Sequence, residues 1–212
     1  MRRWVHLNFK VLEKQRIAIL ASGSGSNAEE IIRHFAISEV AQVVWVGCNR
    51  SETQAGVYKR TQSLGLETAS FQAEQLKNGE VLAMLRVARV DWVVLAGFLL
   101  RIPAEMVRHF QGRMINIHPA LLPLFGGKGM YGMHVHRAVK AARAEATGMT
   151  VHWVNAEYDQ GDIIFQASCS LSPEDDVDRI ASKVAQLEQQ YYARTVESLI
   201  QDVLSQKQLN HE

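Results

Sequence analysis

The 212-residue chain has little cysteine, no excess of charge of either sign and no long hydrophobic run. Cys48 and Cys169 stand far apart in no ligand-like spacing, which argues against a disulfide framework and a cysteine zinc site. A thiol-reducing compartment, the cytoplasm, is the matching expectation. Lys and Arg number 23 against 22 Asp and Glu, so the net charge of +1 creates no broad basic field for nucleic acid or a membrane surface. Any phosphate-bearing partner must meet a local site. No apolar stretch approaches the roughly 20 residues of a membrane span. The start, Met1 to Lys10, is basic, but no apolar segment succeeds it and Lys10, Glu13, Lys14 and Arg16 break the next stretch, unlike a signal sequence. Repeats, low-complexity tracts and linkers are also lacking. The expectation is an extension over 1–15, a single domain over 16–205 and a tail over 206–212.

What is present is a regular alternation. Apolar, β-branched runs predict strands at Arg16–Ala21, Gln42–Val46, Glu67–Ser70, Asp91–Leu95, Met114–Ile117, Thr150–Val154 and Ile163–Ser170. Helical patterns lie between them at Ala28–Ala36, Thr53–Leu64, Leu76–Val87, Pro103–Phe110 and Val135–Arg143. Short buried strands separated by amphipathic helices predict an α/β fold, a Rossmann-like, doubly wound and mostly parallel sheet. From Val177 onward, Ile180, Val184, Leu187, Tyr191, Val196, Leu199 and Val203 recur at helical spacing, as in a terminal helix that covers the core. Between Pro123 and Gly132 lie four of the 14 glycines, so that stretch is a loop.

Three constellations can carry chemistry. The first strand runs into Ser22-Gly-Ser-Gly-Ser-Asn27 and then a helix, where glycines admit a ligand to the backbone and free N–H groups attract an anion. The same letters satisfy a dinucleotide fingerprint, but the second strand ends in Gly47-Cys-Asn-Arg50 without the ribose-binding acid. A monophosphate site, a dinucleotide site and a tight turn all remain open. Second, Asn116-Ile-His118-Pro119 closes the fifth strand at its carboxyl end, where open α/β sheets collect ligands. Residues two apart on a strand face the same side, so Asn116 and His118 can donate to one oxygen. The alternative is a buried histidine that caps its own loop. Third, Asp159-Gln-Gly161 is either a plain turn or the source of a carboxylate that partners a histidine. His134, His136 and His152 lack zinc-type spacing, so no metal is expected.

Together with Leu95-Ala-Gly-Phe98 and Gly148-Met-Thr-Val-His152, these motifs resemble the phosphoribosylglycinamide formyltransferases over about Gln15 to Ile200. These are the folate-dependent glycinamide ribonucleotide transformylases of purine synthesis. The resemblance implies small-molecule substrates, 5-phosphoribosylglycinamide and 10-formyltetrahydrofolate as co-substrate, with no metal. It implies that Asn116, His118 and Asp159 are the catalytic trio, that Gly25, Ser26 and Asn27 hold the substrate phosphate, and that Glu188 binds its ribose. It further implies a folate site bordered by Phe98, Leu99, Leu100, Arg101 and Ile102 and by Asn155, Glu157 and Tyr158. The related methionyl-tRNA formyltransferases and formyltetrahydrofolate deformylases, which carry further domains, resemble the chain less.

The chain also departs from the family pattern. Gln160 stands where many relatives repeat Gly, Leu99-Leu-Arg-Ile102 where relatives often read Met-Arg-Ile, and Phe125-Gly-Gly-Lys-Gly-Met-Tyr-Gly132 is longer than the usual link. Many relatives place Lys or Gln three residues before the ribose-binding Glu. Here that residue is Ala185, and Lys128, on the glycine-rich insertion, is either the replacement partner for the phosphate or a surface lysine that keeps the loop soluble.

Overall fold

The computed structural model describes residues 13–155 and 157–209, so most of the expected N-terminal extension and the last three residues lie outside the described residues. Strand β1 (Gln15–Ala21) leads through the Ser22–Gly25 turn into α1 (Ser26–Phe35), and β2 (Ala41–Cys48) into α2 (Val57–Gln62). Next come β3 (Thr68–Ser70), the short helices α3 (Ala73–Lys77) and α4 (Glu80–Val87), β4 (Trp92–Leu95), α5 (Ala104–His109) and β5 (Met114–His118). The chain then forms α6 (Met133–Ala141), β6 (Ala146–Trp153), β7 (Ile163–Ser170) and the 33-residue α7 (Val177–Leu209). One seven-stranded sheet results, in the order β3-β2-β1-β4-β5-β6-β7. The first five strands of that order are parallel, and β6 and β7 are added antiparallel.

The sheet is buried on both faces because β4 is apolar at every position and β1 is apolar from Ile17 to Ala21. Along β1, Ile17, Ile19 and Ala21 enter one core with α1 and α7, while Ala18 and Leu20 enter the opposite core with α4 and α5. Ile180, Val184, Tyr192, Val196 and Ile200 recur at multiples of four along α7 and are all buried, so the terminal helix covers the core as its periodicity predicts. The Tyr192 hydroxyl donates to the Leu95 carbonyl at 2.9 Å, which ties α7 to the end of β4.

Several boundaries differ from expectation for identifiable reasons. The segment expected as one helix from Leu76 to Val87 is split, because Gly79 adopts φ 89° between α3 and α4. The helix expected from Thr53 begins only at Val57, after a turn in which the Gln54 and Ala55 N–H groups donate to the Ser51 carbonyl. Helix α1 starts two residues early because Gly25, at φ 78°, caps it. Helix α6 covers Met133–Ala141 where Val135–Arg143 was expected. Strand β6 extends back to Ala146 because β7 pairs with its whole length, and α7 runs through the expected tail to Leu209.

Candidate active site

In open sheets the carboxyl ends of the strands splay where the chain order reverses, here between β1 and β4. A cleft of about 670 Å³ opens at that point. Its walls bring together Gly25, Ser26, Asn27, Phe98, Leu99, Asn116, His118, Lys128, Tyr158, Asp159 and Glu188, residues drawn from six separate segments of the chain. A second groove of about 420 Å³ adjoins it and shares Gly127, Tyr158 and Asp159. Both volumes suit small-molecule ligands.

At one end of the cleft, α1 begins without a side-chain cap, which leaves its first-turn N–H groups available. Glycine is required at position 25 for two reasons. Its φ is left-handed, and a Cβ there would stand 2.6 Å from Val57 Cα. Glu29 in the first turn would oppose an anion, but Arg33 and Arg60 engage it and hold its carboxyl below the ordinary value. Arg60 Nε also donates to the Ser24 carbonyl at 3.0 Å, fixing the loop from outside.

Asn27 Nδ2 donates to Glu188 Oε2 across the cleft at 2.9 Å. Burial raises the Glu188 pKa, and the Asn27 bond opposes that rise only in part. A carboxyl raised in the folded state takes up its proton before the unfolded chain does, so its ionised form weighs against the fold at neutral pH and that burden disappears as pH falls. Glu188→Gln, which can still accept from Asn27, is therefore expected to melt higher than the parent at neutral pH. Thermal melts from pH 7.5 downward should show the two curves converging as pH falls through the raised pKa of Glu188 to the ordinary carboxylate value.

The trio meets at the end of β5. His118 is buried, with Nδ1 3.5 Å from Asp159 Oδ2, although 41 residues separate the two in sequence. Its Nε2 lies 2.8 Å from the Phe125 carbonyl. A carbonyl only accepts, so Nε2 carries the hydrogen. His118 thus contacts its own loop through Nε2 and faces the Asp159 carboxylate through Nδ1. The expectation of a bond to substrate narrows accordingly to Nδ1.

Sequence reasoning missed His152. It sits opposite Asn116 in the β5–β6 ladder, with its Nε2 3.0 Å from Asn116 Nδ2. Its Nδ1 donates to the Trp153 carbonyl at 2.9 Å, so Nε2 is the acceptor and Asn116 must present its amide hydrogens. Burial lowers the His152 pKa, and the Trp153 carbonyl and Asp159 offset this only in part. The lowered pKa favours the neutral ring, and the Trp153 bond sets the tautomer that orients Asn116. Asp159 Oδ1 stands 3.7 Å from the same ring.

Asp159 is held in place from two sides. Its own φ is 54°, left-handed, and Gly161 two residues on approaches so closely that a Cβ there would stand 1.7 Å from the Trp153 carbonyl oxygen. The Gly127 N–H donates to Asp159 Oδ2 at 3.0 Å, so the inserted glycine loop also reaches this carboxylate.

Not every expected site residue joins the cleft wall. Leu100 and Ile102 pack against the core beneath it, with Ile102 6% exposed. Arg101 and Glu157 are exposed and form a 3.0 Å ion pair, while Asn155 Oδ1 accepts the Glu157 N–H at 2.9 Å. The ion pair ties the two segments expected to border folate into one rim. Lys128 lines the cleft, is exposed, and is the only Lys or Arg among the described lining residues. Among the described residues, no group of three or more His, Cys, Asp or Glu side chains is arranged to hold a metal ion.

The model of the formyl transferase family matches residues 15–196. A chloroplastic phosphoribosylglycinamide formyltransferase of Arabidopsis thaliana is 34% identical over 194 residues, covering 89% of this chain and 66% of the relative. Its counterpart from Vigna unguiculata is 36% identical over 197 residues, covering 90% and 62%. The chain thus spans just under two thirds of the length of these plant relatives. The crystal structure of phosphoribosylglycinamide formyltransferase from Anaplasma phagocytophilum superposes with a TM-score of 0.80 at 32% identity, covering 90% of this chain and 89% of that one.

Proposed function

The chain belongs to the formyl transferase family, and from that premise we propose that it transfers the formyl group of 10-formyltetrahydrofolate to the amine of 5-phosphoribosylglycinamide, a step of purine synthesis. The observation that carries this reading is the convergence of His118 Nδ1, Asp159 and the oriented Asn116 amide in a cleft whose other end is the uncapped start of α1. The phosphate of the ribonucleotide is assigned to the N–H groups around Gly25, Ser26 and Asn27, and its ribose hydroxyls to Glu188. The formyl donor is assigned to the other side of the trio, against Phe98, Leu99 and Tyr158, with the Arg101–Glu157 pair and Leu100, Ile102 and Asn155 supporting that rim.

In this reading the amine attacks the formyl carbon and negative charge grows on the formyl oxygen. Asn116 Nδ2 is a donor preset for it, because neutral His152 fixes which face of the amide it shows. Protonated His118 supplies a second donor through Nδ1–H, the nitrogen that stands 3.5 Å from Asp159. Asp159 also accepts the proton that the amine must lose and passes it towards the departing folate nitrogen. The two unpaired cysteines support a thiol-reducing compartment, the cytoplasm in this reading; among the described residues no helix is long and apolar enough to cross a membrane. Thermal shift tests the substrate assignment. Glycinamide ribonucleotide should stabilise the protein and NADPH should not, whereas the reverse would favour a dinucleotide enzyme.

Lys128 is assigned to the substrate phosphate. It has Gly127 and Gly129 on either side, both at left-handed φ, and makes no ion pair among the described residues. Ala185, across the cleft on α7, offers no charge. A charge-assisted contact is worth about 1.5–3 kcal/mol, so Lys128→Ala should weaken ribonucleotide binding by about tenfold or more. Folate affinity should hardly change, and added salt should narrow the difference. Ala185→Lys in that background should restore part of the loss. Calorimetric titration at low salt showing equal ribonucleotide affinity in parent and Lys128→Ala would remove Lys128 from the site.

A further inference from the structure

The backbone of residues 125–127 contacts both ionisable members of the trio. The Phe125 carbonyl accepts from His118 Nε2 at 2.8 Å, and the Gly127 N–H donates to Asp159 Oδ2 at 3.0 Å. We infer that this three-residue segment is a positioning clamp that holds neutral His118 as its Nε2–H tautomer, so that Nδ1, beside Asp159, is the nitrogen left to take up the proton that the ring then presents to the substrate. The formyl-transfer reading enters only through the kinetic consequence; the tautomer is a property of the unliganded protein.

The geometry supports the clamp in three ways. First, the two bonds are complementary in polarity. From His118 the carbonyl can accept only a ring N–H, and from Asp159 the amide N–H can meet only an acceptor oxygen, so each ties one side chain to one role. Second, Phe125 lies at φ 56°, a conformation that costs a non-glycine residue free energy and persists where surroundings over-determine it. That φ helps set the direction of the Phe125 carbonyl. The surroundings that hold it are the side-chain packing of Phe125 against Ala120, Val135, Val139 and Ile180. Third, Gly126 keeps the segment close: a Cβ there would stand 2.5 Å from Leu122 Cδ2 and 3.4 Å from Asp159 Cβ. The role of Phe125 is therefore carried by its backbone. Its side chain serves as the anchor.

Two substitutions separate a backbone role from simple packing, because the two roles rank them in opposite orders. Phe125→Gly discards the anchor but adopts left-handed φ freely, whereas Phe125→Val keeps apolar contact but is β-branched and resists that conformation. Ring ¹⁵N shifts of His118, assigned by their loss in a His118→Asn variant, report the tautomer in protein without ligand at a pH where the ring is neutral. The parent should show a protonated Nε2 and a bare Nδ1. Phe125→Gly should keep that pattern, and Phe125→Val should show a mixture of tautomers. With both substrates, kcat should fall by about tenfold or more in the Val variant, while the ribonucleotide KM stays within about twofold. A parent ring protonated on Nδ1, or a Val variant that holds the Nε2–H form as well as the parent while the Gly variant loses it, overturns the clamp. An Nε2–H ring in a protein that transfers no formyl group would uphold the clamp and refute the proposed reaction.

Discussion

Replacing His118 by Ala should lower turnover by about 10²–10⁴, the usual share of a general acid or base. The residue is 3% exposed and its two nitrogens contact the Phe125 carbonyl and Asp159, so in the proposed mechanism the loss removes one donor to the developing oxyanion and one partner of the carboxylate. Ribonucleotide binding should survive, because the proposed phosphate and ribose sites, the start of α1 and Glu188, do not lie on β5. Single-turnover rates at saturating substrate isolate the chemical step. Near-normal rates in a folded His118→Ala protein would end its assignment.

Asp159→Asn is expected to be nearly as severe, also about 10²–10⁴ in turnover. Asn tolerates the left-handed φ of 54°, so the hairpin should keep its shape. The Gly127 N–H must still find an oxygen, which keeps an uncharged oxygen at the Oδ2 position near His118 Nδ1 and puts the new amide nitrogen at the Oδ1 position, which lies 3.7 Å from His152 Nε2 in the parent. In the proposed mechanism the amine then loses its proton acceptor. Parent-like rates in Asp159→Asn, with an unchanged melting temperature, would show that the carboxylate has no part in the chemistry.

Much of this site was legible in the sequence because its signals are local. The Ser22–Asn27 turn declares itself through glycines at a strand–helix junction, and Asn116 and His118 through their i, i+2 spacing at a strand end. What was not legible depends on register or on tertiary override. His152 becomes the partner of Asn116 only because β6 pairs antiparallel with β5 and sets the two residues opposite each other. The approach of Asp159 to His118 needs the hairpin between β6 and β7, whose close packing at Gly161 comes from the fold and not from turn propensity. Phe125 runs against propensity altogether, since a bulky residue gives no hint of a left-handed backbone. The fold shows the same division. The two-sided burial of β1 was plain from its unbroken apolar run, while the split between α3 and α4 depended on the conformation adopted by Gly79.

The central claim is that the trio in this cleft moves a formyl group between two small molecules. The most direct measurement mixes the protein with 10-formyltetrahydrofolate and 5-phosphoribosylglycinamide and tracks both products by mass. The account predicts tetrahydrofolate and N-formyl ribonucleotide in equal amounts, each dependent on both substrates and each lost in His118→Ala. Tetrahydrofolate released together with free formate, without formylated ribonucleotide, or no turnover at all, would contradict it.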